Sequence, residues 1–151
     1  MPKKIDLIIL HCSDNPNFKT DIADIRAFHT APKPAGKGWR DVGYHWFIRS
    51  DGLLQTGREV DADPFMEAEE IGAHCMGFNS RAIGICLNGR KSFYAVQFAT
   101  LKSLLQAVCF PRWPDATIHG HNEYSLEGKT CPNFSVVPVQ QFWERLKANQ
   151  N

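Results

Sequence analysis

Apolar residues concentrate in two short runs, the mostly apolar KIDLIIL at Lys4–Leu10 and the continuous AIGICL at Ala82–Leu87. Runs of this length, β-branched and bounded by polar residues, predict buried strands. The first delivers His11 to a strand end, ahead of the polar stretch HCSDN. Elsewhere the period lengthens to that of a helix. Ile22, Ile25 and Phe28 make one apolar face of a helix expected over Asp21–His29, with Thr20 as its cap. Phe98, Leu101, Leu105 and Val108 define a second helix, which Pro111 should stop. Pro138 suits the first turn of a last helix that buries Phe142, Trp143 and Leu146. Tyr44–Arg49, the turn Ser50-Asp51-Gly52 and Leu53–Thr56 read as a hairpin, and Ala116–His119 as a short strand. Ala31–Trp39 is Pro-, Gly- and Lys-rich loop; Asp61–Gly77 is acidic and irregular, with at most a helical turn. The pattern predicts one α/β domain over residues 1–151 with mixed strand order, free of repeats and linkers.

Composition narrows the choices. A chain of 151 residues, 43% hydrophobic and 22% charged, is an ordinary globular domain that needs no staples. Seventeen Lys and Arg against sixteen Asp and Glu leave a net charge of +1. That balance lacks the basic field nucleic-acid binding relies on, so no such partner is expected; separately, the chain is expected to be a monomer. No apolar run approaches the ~20 residues of a membrane span. Lys3 and Lys4 imitate the start of a signal peptide, but Asp6 and His11 interrupt the stretch behind them. Synthesis in the cytosol without an export signal is expected. Five cysteines, an odd and sparse set, read as thiols, one of which could be a ligand.

Histidine and cysteine placement carries the chemistry. His11 follows one strand; His121 and Cys131 lie ten residues apart in the loop GHNEYSLEGKTC after another. Two neutral imidazoles and a thiolate are a three-ligand set for catalytic zinc with a fourth position open, whereas a structural zinc would call for a fourth protein ligand. Spacing alone is weak evidence, since a histidine after a strand is more often a satisfied polar residue. His119 is a rival ligand, two residues before His121 and able to share its face.

Four segments sharpen this reading: ILHCSDN (Ile9–Asn15), GWRDVGYHWFIRSDG (Gly38–Gly52), IGAHCMGFNSRAIGICLNG (Ile71–Gly89) and GHNEYSLEGKTCPNF (Gly120–Phe134). In kind and order they resemble the zinc-dependent N-acetylmuramoyl-L-alanine amidases of the phage-lysozyme type, relatives of the peptidoglycan recognition proteins. The resemblance runs from residue 5 to the last helix and implies a central mixed β-sheet flanked by helices. It implies one Zn²⁺ per chain on His11, His121 and Cys131, its GH…KxC pattern favouring His121 over His119. Tyr44 and Lys129 match a metal-facing tyrosine and a lysine that would steady a tetrahedral oxyanion. Trp39, His74 and Asn79 fall where relatives contact glycan or stem peptide, although loop anchoring suits each nearly as well.

The remaining candidates read as structural. His45, alternating with Tyr44, should be a buried hydrogen-bonded residue, and His29 a helix-end or surface one. Cys12 should turn away from the metal, Cys86 and Cys109 belong to the core, and Arg58 and Glu67–Glu70 look like surface charge. The resemblance implies hydrolysis of the bond between the lactyl group of N-acetylmuramic acid and L-alanine, in an endolysin that reaches the cell wall at lysis. A cytosolic amidase of soluble muropeptides and a non-cutting peptidoglycan-binding module are the alternatives; Cys131 weighs against the latter.

Overall fold

A computed structural model describes residues 1–150. In chain order its elements are β1 (Lys3–Lys4), β2 (Leu7–Cys12), α1 (Ile22–Thr30), β3 (Trp46–Ile48), β4 (Leu54–Thr56), β5 (Phe65–Met66), β6 (Ala82–Leu87), α2 (Ala95–Leu104), α3 (Phe110–Arg112), β7 (Thr117–Gly120) and α4 (Val137–Ala148). The main sheet runs β4-β3-β6-β2-β7, while β1 and β5 form a separate antiparallel pair. β2 is parallel to both β6 and β7, β3 is parallel to β6, and only the β3–β4 hairpin is antiparallel. Every residue of β2 and β6 is buried, as their unbroken apolar runs require of strands covered on both faces.

The two faces have different contents. Ile8, Leu10, Ile83, Ile85 and Leu87 pack with Leu101 and Leu105 of the α2 side and Trp143 of α4. On the opposite face Phe47 and Cys86 meet Ile22 and Ile25 of α1. Alternation along β2 therefore sends His11 to the face opposite Leu10, where the site lies.

Local chemistry explains four departures from expectation. Asp21 rather than Thr20 caps α1, in a reciprocal pair with Asp24. Phe28 is 51% exposed and His29 takes the buried place, because Ile22, Ile25 and His29 fall on one helical stripe that position 28 leaves. Pro111 does not end the second helix. A π turn over Leu105–Cys109 precedes it and the coil continues through Arg112, the wider turn accommodating a ring without an N–H. Arg58 and Glu70 are buried rather than surface charges. The Arg58 guanidinium donates to the carbonyls of Val42, Ile71 and Asp41, and Glu70 accepts the N–H groups of Asp61 and Glu67, both at 2.8 Å. Together they pin the irregular middle of the chain beneath Tyr44.

Candidate metal centre

Parallel pairing builds the site. Leu10 lies opposite Gly120, so the next residue on each chain, His11 and His121, emerges beside the other with rings 4.6 Å apart. The loop returns Cys131 to them through the Asn122 N–H, which donates to the Cys131 carbonyl at 2.7 Å. One ring nitrogen of each histidine and Cys131 Sγ all lie within 4.8 Å of one another, with His11 buried and the other two half-buried. The group is thus open on one side. Two imidazoles and a thiol fit zinc in donor type and leave a fourth position; without a carboxylate they suit calcium or magnesium poorly.

Electrostatics favour the ligating forms of the imidazoles. Burial, then His74 and His121 nearby, holds His11 well below the usual imidazole range; burial and Lys129 lower His121 as well. Both rings stay neutral. The Cys131 thiol is pushed up by its hydrogen bond with the Cys12 thiol and then by burial. A bound cation reverses that direction, and the Cys12 N–H already donates to Cys131 Sγ at 3.2 Å. Cys12 touches Cys131 Sγ through its backbone N–H and carbonyl, and its own thiol is not among the three ligand atoms that converge.

Tyr44 stands beside the group, its ring 5.2 Å from that of His11. Burial, then the Cys86 and Cys131 thiols, raises its phenol well above the usual value, so it remains a donor. Its position is set by its neighbours: the Gly43 N–H donates to His29 Nδ1 at 2.9 Å, and the Tyr44 carbonyl accepts the Arg58 N–H at 2.8 Å. Thus His29 is an internal anchor and not a surface residue. Lys129 is exposed, 3.5 Å from Glu127, close enough for its charge to act on both histidines.

His119 is not in the group. Its Nε2 pairs with Thr117 Oγ1 at 2.8 Å and its Nδ1 with Glu123 at 2.6 Å. His45 is fully buried, Nε2–H donating to the Glu70 carbonyl at 2.7 Å and Nδ1 accepting the Gly84 N–H at 3.0 Å. His74 departs from the expectation of a peptide contact: it is buried, and both ring nitrogens point inward, to His11 at 2.9 Å and the Ala82 carbonyl at 3.1 Å. The Asn79 side-chain carbonyl accepts the N–H groups of His74 and Cys75, both at 2.9 Å, and so anchors that loop. Trp39 is half-buried, edge-on to His29 at 4.7 Å with Lys37 over its ring. The anchoring roles of His29 and Arg58 escaped sequence reading; the flanking Gly43 and Gly57 were the available signal. A Cβ at Gly43 would lie 2.3 Å from the Ala73 carbonyl oxygen, and one at Gly57 2.1 Å from that of Tyr44.

The mixed sheet thus carries a His-His-Cys group that could hold a metal ion, with a tyrosine beside it. Residues 1–134 match the N-acetylmuramoyl-L-alanine amidase family model, and the chain belongs to that family. It is 31% identical over 149 residues to the endolysin of Escherichia phage T7, spanning 93% of this chain and 86% of the relative. Among solved structures, the endolysin amidase LysCS from Clostridium intestinale superposes with a TM-score of 0.71 at 23% identity, over 95% of this chain and 84% of that one. The peptidoglycan recognition protein LCa–LCx complex with tracheal cytotoxin gives a TM-score of 0.66 at 22% identity, over 87% and 80% of the respective chains.

Proposed function

We propose that this amidase holds one zinc on His11, His121 and Cys131 and cleaves the amide between the lactyl group of N-acetylmuramic acid and L-alanine. Its setting is that of an endolysin, reaching peptidoglycan when the cell is lysed. The observation that carries the reading is the convergence of all three side chains within 4.8 Å, the third ligand included. A module that only binds peptidoglycan has no use for an open three-ligand group.

Zinc held there would supply a Lewis acid for the amide carbonyl and lower the pKa of a water toward ~7. The protein's own groups do the rest. Neutral His11 and His121 present lone pairs, and the Cys12 N–H steadies negative charge on Cys131 Sγ. Tyr44, kept protonated by burial, offers an O–H to the oxygen that gains charge as the carbonyl is attacked. Lys129 adds a mobile ammonium from the exposed rim. Half-buried Trp39 is available for contact with the glycan or stem peptide. Digestion of intact sacculi, with the new termini identified by mass spectrometry, tests the bond cut. Release of free L-alanine amino termini is expected; unchanged sacculi, with rapid cleavage of a soluble muropeptide, would point to the recycling role. Binding without any cleavage would overturn the enzymatic reading.

A further inference from the structure

We infer that His74 is the positioning residue that fixes the proton of His11 on Nε2 and thereby aims the bare Nδ1 at the metal position. The inference deepens the zinc reading above and rests on it for the metal, though the proton placement holds without one.

The hydrogen-bond chain leaves one arrangement. The Ala82 carbonyl can only accept, so the proton of a neutral His74 ring must sit on Nε2, 3.1 Å away. His74 Nδ1 is then a bare acceptor, and the nitrogen 2.9 Å from it, His11 Nε2, must carry the hydrogen. A neutral His11 ring has no second proton, so its Nδ1 is free. That atom faces Cys131 Sγ at 3.9 Å. A ligating imidazole usually donates its other N–H to a carboxylate, a carbonyl or water, which sets both tautomer and ring orientation. Here a second imidazole takes that place. As a neutral acceptor it orients His11 without adding a negative charge beside the site.

The ring of His74 fits because two residues lack side chains. A Cβ at Gly84, in β6, would lie 2.6 Å from His74 Cγ; one at Gly72 would lie 2.7 Å from His74 Cδ2. Asn79 fixes the backbone on either side of the Cα, accepting the N–H groups of His74 and Cys75. Position and proton are thus specified together: the sheet carbonyl sets the tautomer of His74, and His74 sets that of His11.

Long-range ¹H–¹⁵N spectra of zinc-free protein report the tautomer directly, and competition with a chromophoric chelator reports zinc affinity. In the unmodified protein His11 should be protonated at Nε2 and bare at Nδ1. His74→Phe should mix the two tautomers and weaken zinc binding about 10–100-fold. His74→Asn, whose amide oxygen replaces the Nδ1 acceptor, should recover most of that loss. Protonation of His11 at Nδ1 in the unmodified protein would overturn the inference without any variant. So would a folded His74→Phe protein with unchanged tautomer and affinity. Correct protonation in a protein that binds no zinc would instead sink the metal reading and leave the relay standing.

Discussion

The backbone N–H of Cys12 donates to Cys131 Sγ at 3.2 Å, across a sequence separation of 119 residues. Short of proline, no side-chain change removes a main-chain donor, so the sulfur's support is built into the end of β2. The ligand itself can be changed. Cys131→Ala should lose nearly all bound zinc and all activity. Cys131→Asp should retain metal, since a carboxylate oxygen is also an accepted zinc ligand. Metal content by atomic emission checks both; a zinc-replete, active Cys131→Ala protein would remove Cys131 from the ligand set.

We propose Tyr44 and Lys129 as donors to the developing oxyanion and not as metal ligands. Tyr44→Phe and Lys129→Ala should each keep zinc and bind sacculi, while turnover falls about 10²–10³-fold, the usual cost of one oxyanion donor. Such a loss should appear in kcat far more than in substrate affinity. Lysis at the normal rate by both variants would show that neither group acts there.

Removing the metal should cost stability as well as activity. A ligand that binds only the folded chain stabilises it by mass action, about 2.7 kcal/mol at a hundredfold excess over Kd. Dialysis against a strong chelator should therefore abolish lysis and lower Tm, and added zinc should restore both. Unchanged melting on chelation would mean that the three side chains hold no metal.

His29 and His45 both titrate at about 4, drawn down from 6.5 first by burial. Because the folded values are lowered, the unfolded chain takes up protons first as pH falls through 6.5. Stability that is complete above 6.5 is then lost progressively down to about 4, where the folded state takes up the same protons. Each group contributes a slope of at most ~1.4 kcal/mol per pH unit. Urea midpoints should fall between pH 7 and pH 5, and equal midpoints would show that these rings protonate freely in the folded protein.

Arg58 fastens three carbonyls of two separate segments next to Tyr44. Arg58→Leu leaves buried acceptors unmet at roughly 1–3 kcal/mol apiece, so a loss of several kcal/mol is expected. Denaturant titration measures it. A change below ~0.5 kcal/mol, the usual range for surface substitutions, would show that the clamp contributes little.

The strands were legible because their chemistry is local: unbroken apolar runs gave β2 and β6, and an Asp-Gly turn gave the β3–β4 hairpin, Gly52 taking φ +87°. Residue type and order pointed only weakly to His11, His121 and Cys131 and left His119 as a rival; the family resemblance made the choice, and those three side chains do converge. Other features depend on distant partners. Gly57 beside Arg58 signals a close backbone approach, but it does not announce that three carbonyls will surround the guanidinium. Nor does the sequence around His74 show that its ring will lie against Gly84 and turn inward to His11. The same holds for Pro111, whose tolerance rests on a π turn that hydrophobic spacing does not encode.

The place of β2 between β6 and β7 also governs when the molecule can exist. Its two neighbours are residues 82–87 and 117–120, so β2, once made, waits for partners that follow it much later along the chain. Parallel pairings so distant close late and slowly. Because 120 residues separate His11 from Cys131, a nascent chain that ends between them lacks the complete His-His-Cys group. An enzyme that needs all three side chains is chemically silent until Cys131 has been made. Ribosome-bound chains that end before residue 117 should accordingly remain protease-sensitive and inactive even with zinc present.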